Sequence, residues 1–230
     1  MLSDLHNHSI FSDGFNTCEE LVEQAVALGL KRIGLVEHVW RHSEWVPEFI
    51  NYTHWLKDKY KGVIQIVTGL EAKALTCTGE IDFNEMWKSK VDYVLGAIHR
   101  IPARSKRFYS SNDNSANKVE VYEDWLLTME GMLTNRMVDI IAHPGAELIR
   151  YQISLPSQVK EMLCQLGKGT GKIFEVNVKH QVPDKEFLSY LLKYHLPLSI
   201  ASDSHSTTEQ RKYIKDIITT HHSLAAFNLI

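Results

Sequence analysis

Nine residues of metal-binding type are scattered along this chain in a way that one fold could gather. His6 and His8 form a His-x-His pair, and Asp13 follows closely. Then come His38 (preceded by Glu37), Glu71, His99, His143 within Ala-His-Pro-Gly, and finally Asp203 and His205. Imidazole and carboxylate without thiolate suit Zn, Mn or Fe. Six imidazoles and three carboxylates are too many for one tetrahedral or octahedral ion. They suit two to three divalent ions with a bridging carboxylate. Divalent ions can lower the pKa of bound water from about 15.7 to about 7. The expected nucleophile is therefore a metal-bound hydroxide rather than a side chain. Singly, each residue has a plainer reading. Asp13-Gly14 is a common turn, Asp203 could cap a helix, and Glu71 could be a solvated acid. The recurrence is what points to a shared site.

Such a site needs elements that end at one place. Seven short runs rich in β-branched residues read as strands: Leu2–Leu5, Arg32–Val36, Gln65–Leu70, Tyr93–Ile98, Val138–Ala142, Ile173–Val176 and Leu198–Ala201. Helical segments alternate with them. Thr17 and Glu20 form a capping-box pattern, and Gly29 closes the helix that follows. Pro47 and Pro156 suit first helical turns. The stretch 72–90 has no clear period. Strand-helix alternation implies a parallel sheet, and seven units in 230 residues suggest a closed barrel. An open doubly wound sheet is the alternative. It usually carries a Gly-rich phosphate turn after its first strand, and His-Asn-His-Ser is not one. In a parallel barrel the C-terminal strand ends converge on one mouth, where active sites lie. A ligand-type residue follows every strand, with Asn177 after the sixth.

Composition sets the outer bounds. With 25 Lys plus Arg against 28 Asp plus Glu, the net charge is −3, which gives no reason to expect duplex nucleic acid as a partner. No run approaches the roughly 18 apolar residues of a membrane span. Asp4 and His6 arrive too early for a signal-peptide core. Cys18, Cys77 and Cys164 are odd in number and lack C-x-x-C spacing, as expected of reduced thiols in a cytoplasmic protein. The 12 histidines exceed what packing calls for, and six of them are the ligands proposed above.

Asp-Leu-His-Asn-His-Ser at 4–9, Ser-Asp-Gly at 12–14, Glu-His at 37–38, Gly-Leu-Glu at 69–71, Gly-Ala-Ile-His at 96–99, Ala-His-Pro at 142–144 and Ser-Asp-Ser-His at 202–205 resemble, in order, the motifs of the PHP (polymerase and histidinol phosphatase) family. The resemblance spans nearly the whole chain and implies a single domain over residues 1–230. It implies a distorted seven-stranded (β/α) TIM-like barrel, typically with three metal ions. It also implies a ligand scheme. His6, His8, Glu71 and Asp203 would hold one ion, and Asp13, His38 and His205 a second. His99 and His143, bridged by Glu71, would hold a third. Asp4 would be a supporting carboxylate that orients a ligand imidazole. Glu37 stands where the family more often has Asp. No polymerase domain accompanies the motifs, so the chain resembles the stand-alone phosphoesterase branch.

The activity this implies is hydrolysis of a small phosphomonoester, histidinol-phosphate-like or nucleotide-like. Phosphate needs cationic donors, and Arg100, Arg104, Lys106 and Arg107 follow the fourth strand. Arg100 is the leading candidate, with Lys179 another. His180 is a candidate general acid. Trp40 and Trp45 either line the pocket or pack in the core. An amidohydrolase acting on a C–N or C–O bond is the alternative enzyme, and a metal-stabilised binding module the alternative to an enzyme. The phosphatase reading makes His8→Ala and Asp203→Ala inactive through loss of metal. Elemental analysis beside a turnover assay checks this, and full activity in His8→Ala would defeat the metal scheme.

Overall fold

The computed structural model describes residues 1–105, 108–110, 116–227 and 229–230. The strands are β1 (Ser3–Asn7), β2 (Arg32–Val39), β3 (Gln65–Lys73), β4 (Tyr93–Ala97), β5 (Ile140–Ile141), β6 (Ile173–Asn177) and β7 (Leu198–Ala201). All pair in parallel and in chain order. The helices are α1 (Cys18–Ala27), α2 (Val46–Lys59), α3 (Lys118–Thr134), α4 (Ala146–Arg150), α5 (Ser157–Thr170), α6 (Lys185–Lys193) and α7 (Thr207–Ser223). Past β7 the chain meets β1: His8 N donates to Ser204 O at 2.8 Å and Ser204 N to His6 O at 3.3 Å. These bonds nearly close the barrel. Lys106, Arg107, residues 111–115 and Asn228 fall outside the described residues.

Several strands run further than their apolar runs suggest. β2 continues through Glu37 and His38, and β3 through Glu71, because His38 pairs with Glu71 in the ladder. The backbone groups of these polar residues are satisfied by neighbouring strands, so polarity alone does not end the strand. β5 contracts to two residues. The unclear stretch 72–90 holds an antiparallel bridge, Ala74 to Ile81, and a 3₁₀ turn over Glu85–Lys90.

Residues alternate along each strand. Ile33, Leu35, Ile66 and Leu70 face outward into the main core with Trp125, Phe49 and Phe174. Leu5, Val36, Val67, Leu95, Ile140 and Ala142 face inward and fill the barrel. Tyr93 lies in that interior, and its hydroxyl donates to Leu5 O at 2.7 Å. Its ring passes over Gly34 and Gly69, where a Cβ would lie 2.2 Å and 2.4 Å from Tyr93 atoms. The two glycines thus make room for the floor of the pocket.

β1 carries one irregularity that matters. Asp4 pairs with Ile33 and Asn7 with Leu35, so three steps on β1 match two on β2. This is a bulge of one residue, which re-aims side chains. It lets consecutive residues, Leu5 and His6, serve the barrel filling and the metal-type cluster respectively.

At the opposite end, buried His221 of α7 accepts from Ser3 N through Nε2 at 3.0 Å. Burial lowers its pKa from the ordinary 6.5. A histidine depressed in the folded state contributes stability above the unfolded value of about 6.5, and that stability is lost as pH falls toward the folded value. Urea midpoints should therefore drop more between pH 8 and pH 5 for wild type than for His221→Gln. Equal drops would contradict this account.

Candidate metal centre

Glu71, on β3, lies at the centre with no exposed surface on its side chain. Five imidazoles surround it. Its Oε1 is 3.1 Å from His99 Nε2 and 3.0 Å from His143 Nε2. Its Oε2 is 3.4 Å from His6 Nε2, 3.6 Å from His8 Nε2 and 2.7 Å from His38 Nδ1. Burial alone would raise the Glu71 pKa, but His99, His6 and His38 hold it well below the usual carboxylate range. The imidazoles respond individually. Burial works against the His38 cation, yet Glu71 and Asp13 outweigh it and lift its pKa to about 10. His8 is pulled to about 3 chiefly by burial, so it is neutral.

Around Glu71 the donor atoms fall into three overlapping groups: His6, His8 and Asp203; His8, Asp13, His38 and His205; and His38, Glu71 and His99. Within each group the atoms lie within 4.8 Å of one another. His143 joins through Glu71 Oε1. All nine residues singled out by sequence are thus brought together. His8 and His38 each belong to two of these groups. Both rings sit between neighbours: His8 stacks on His38 and His205 with centroids 4.2 and 4.4 Å apart.

Divalent ions fit this donor set. Ligand atoms near 2.1 Å from one ion lie roughly 3–4 Å from each other. His6 Nε2 and His8 Nε2 approach to 2.9 Å, two nitrogens aimed at one point. Among the described residues Glu71 Oε2 and His8 Nδ1 are buried without a well-aligned hydrogen bond. Buried polar atoms are rarely left so unless something else satisfies them. Two of the nine residues also have left-handed backbone, His143 at φ 26° and Asp203 at φ 52°. Such conformations cost free energy and cluster at functional sites.

The supporting carboxylates are partly other than expected. Glu175 of β6 accepts from His6 Nδ1 at 2.7 Å and from His143 N at 2.5 Å. It therefore orients His6 and leaves Nε2 facing the centre. Sequence reading missed it. Its signal is an acid inside Ile-Phe-Glu-Val-Asn, where Phe174 and Val176 face outward and Glu175 must face the barrel. Asp4 does not orient an imidazole. Its carboxylate accepts from Ser202 N at 2.9 Å and Ser202 Oγ at 2.6 Å, which anchors the segment carrying Asp203 and His205. Glu37 faces away from the centre, accepting from Ser9 N at 3.0 Å and from the Ser9 and Ser12 hydroxyls at 2.5 Å. It fixes the loop that carries Asp13. Burial pushes its pKa to about 7.

The candidate substrate groups divide. Arg100 lines the cavity beside His38, Glu71 and His99. Arg104 is not part of it: its guanidinium is held by Asp124 and Glu123 at 2.5 Å each, on the flank of α3. Lys179 donates to Asp203 O at 2.9 Å and pairs with Glu209 at 3.2 Å, so it braces a ligand segment. Arg107 lies outside the described residues. His180 Nε2 is 2.9 Å from Asp203 Oδ2. Trp40 lines the cavity, whereas Trp45 packs on Phe11 and Phe49.

The PHP domain family model matches residues 4–179, which takes in β1 to β6. A protein named "Probable phosphatase" from Acetivibrio thermocellus is 25% identical over 220 residues, 91% of this chain and 82% of that one. The DNA polymerase/3'-5' exonuclease PolX of Bacillus subtilis is 26% identical over 215 residues, 88% of this chain. This chain spans only 34% of that protein's length. Among solved structures, histidinol phosphate phosphatase from Lactococcus lactis, complexed with zinc, L-histidinol and phosphate, has a TM-score of 0.69 at 18% identity. The similarity covers 99% of this chain and 95% of that one, and it shows the shared fold.

Loss of a carboxylate that orients a ligand histidine typically weakens metal binding 10- to 100-fold. Glu175→Gln should weaken zinc binding by about that factor, read by competition with a chromophoric chelator. Unchanged affinity would show that His6 needs no such support.

Proposed function

The chain belongs to the PHP domain family, and from that premise we propose that it is a metal-dependent phosphatase acting on a small phosphomonoester. The observation that carries this reading is the array of six imidazoles with Glu71, Asp13 and Asp203, buried at His6, His8, His143, Glu71 and Asp203 and opening through the half-buried His38 and His99 into a cavity that Arg100 lines. We take residues 1–230 as one domain, since Asp203 and His205 lie beyond the family match yet complete the same array. Two to three divalent ions, Zn, Mn or Fe, suit the donors. When bound they would supply an attacking water deprotonated near neutral pH and neutralise charge on the phosphoryl oxygens.

The chain's own groups do the rest. Glu175 and Asp4 hold the ligand segments in place, and Tyr93 with the inner apolar layer closes the floor beneath them. Arg100, lining the cavity beside His99, binds the phosphoryl oxygens through its planar fork. His180, whose Nε2 lies 2.9 Å from Asp203 Oδ2, is the residue that passes a proton to the leaving oxygen in this reading. The zinc, histidinol and phosphate bound by the Lactococcus lactis protein support a small phosphorylated substrate. Among the described residues no helix is long and apolar enough to cross a membrane.

Treatment with a chelator should abolish release of inorganic phosphate from p-nitrophenyl phosphate, and Mn or Zn should restore it. Arg100→Ala should lower kcat/KM about 10- to 100-fold, as expected for a hydrogen bond to a charged group. His180→Ala should slow alkyl phosphates more than p-nitrophenyl phosphate, whose leaving oxygen needs no proton. Hydrolysis of amides or lactones without phosphate release would overturn the assignment.

A further inference from the structure

Part of the cavity wall is not used by the phosphoryl chemistry. The cavity measures about 360 Å³, and beside the metal-type residues and Arg100 its wall includes Trp40, Lys73 and Phe108. Side chains two apart on a strand share a face. His38 and Glu71 are paired neighbours pointing into the barrel. Lys73 follows Glu71 by two at the end of β3, and Trp40 comes directly after β2, so both stand nearer the mouth. Lys73 Nζ lies 6.0 Å from the Trp40 ring centroid, so the two meet. Phe108 reaches the same space from the strip after β4, where it bridges to Pro102. Trp40 is 44% exposed and Phe108 40%, large apolar surface left at the rim of a charged site.

The floor below the centre is filled by Tyr93, Leu5 and their neighbours. A phosphoryl group held at the centre therefore points its leaving oxygen out of the barrel, into the cavity whose wall includes Trp40 and Phe108. The charge there is also one-sided. Lys73 and Arg100 are cations. Among the described residues lining the cavity the one carboxylate is Glu71, which five imidazoles already surround. Asp82, 3.5 Å from Lys73, also accepts from Arg41 N. Among the described residues lining the cavity no further acid stands ready to hold an ammonium group.

We propose that Trp40 and Phe108 form a stacking wall for the leaving group, and that the substrate is the phosphomonoester of an alcohol bearing a flat ring and no ammonium. This rests on the phosphatase reading and narrows it. It sets this chain apart from the Lactococcus lactis protein, whose bound L-histidinol is an amino alcohol.

The metal-loaded enzyme is compared on phenyl phosphate, adenosine 5′-monophosphate, glycerol 2-phosphate and histidinol phosphate. The two aromatic esters lacking an ammonium should exceed the other two in kcat/KM by about tenfold or more. Trp40→Leu and Phe108→Leu should each reduce that ratio severalfold while bound metal stays unchanged. Adenosine, which carries no phosphate, should quench tryptophan fluorescence saturably in wild type and not in Trp40→Leu. A wild type that prefers histidinol phosphate, or treats glycerol 2-phosphate as equal, overturns the stacking wall and leaves a phosphatase. No phosphate release from any ester defeats the phosphatase reading, and the adenosine titration then decides the wall by itself: no quenching overturns it.

Discussion

Everything in this barrel answers to one carboxylate. Glu71 is wholly removed from solvent, and an ionised carboxylate cannot be buried alone without a cost of several kcal/mol. The chain meets that cost by bringing imidazoles from β1, β2 and the segments after β4 and β5 to within 3.6 Å of it. Each imidazole in turn needs its second nitrogen fixed or its backbone anchored. That demand explains Glu175 beneath His6, the β1 bulge that turns His6 inward, and the unusual backbone at His143 and Asp203.

Much of this was legible beforehand because the ligands recur at one place in each strand-helix unit. A polar, metal-type residue closing an apolar run is visible without coordinates, and six such events over seven strands point to both the barrel and its mouth. Glu71 and His99 illustrate this: each directly follows a β-branched run. What stayed hidden depends on distances between strands. The overlap of the donor groups at His8 and His38 was hidden, because the two rings stack between neighbours that only the closed barrel defines. Arg104 was misplaced because the acids that capture it, Glu123 and Asp124, lie a long loop away in sequence. Glu175 went unnoticed because it sits inside a strand rather than after one. Asp4, expected from the family resemblance to orient an imidazole, holds Ser202 instead, a contact across the barrel seam that a separation of 198 residues hides.

The interior shows a division by layers. Tyr93 crosses the base over Gly34 and Gly69, aliphatic side chains fill the middle, imidazoles and carboxylates follow, and aromatic and cationic residues stand at the rim. The period of two along each strand generates these layers. A change of one layer therefore need not disturb the next, and the rim can vary in chemistry while Glu71 keeps its surroundings.

The seam between β1 and β7 carries a further consequence. His6 and His8 come from the first strand, while Asp203 and His205 lie just beyond the last. A nascent chain leaving the ribosome presents the second pair nearly 200 residues after the first. The His6–His8–Asp203 group cannot exist before then, so a truncated product with an open barrel lacks it.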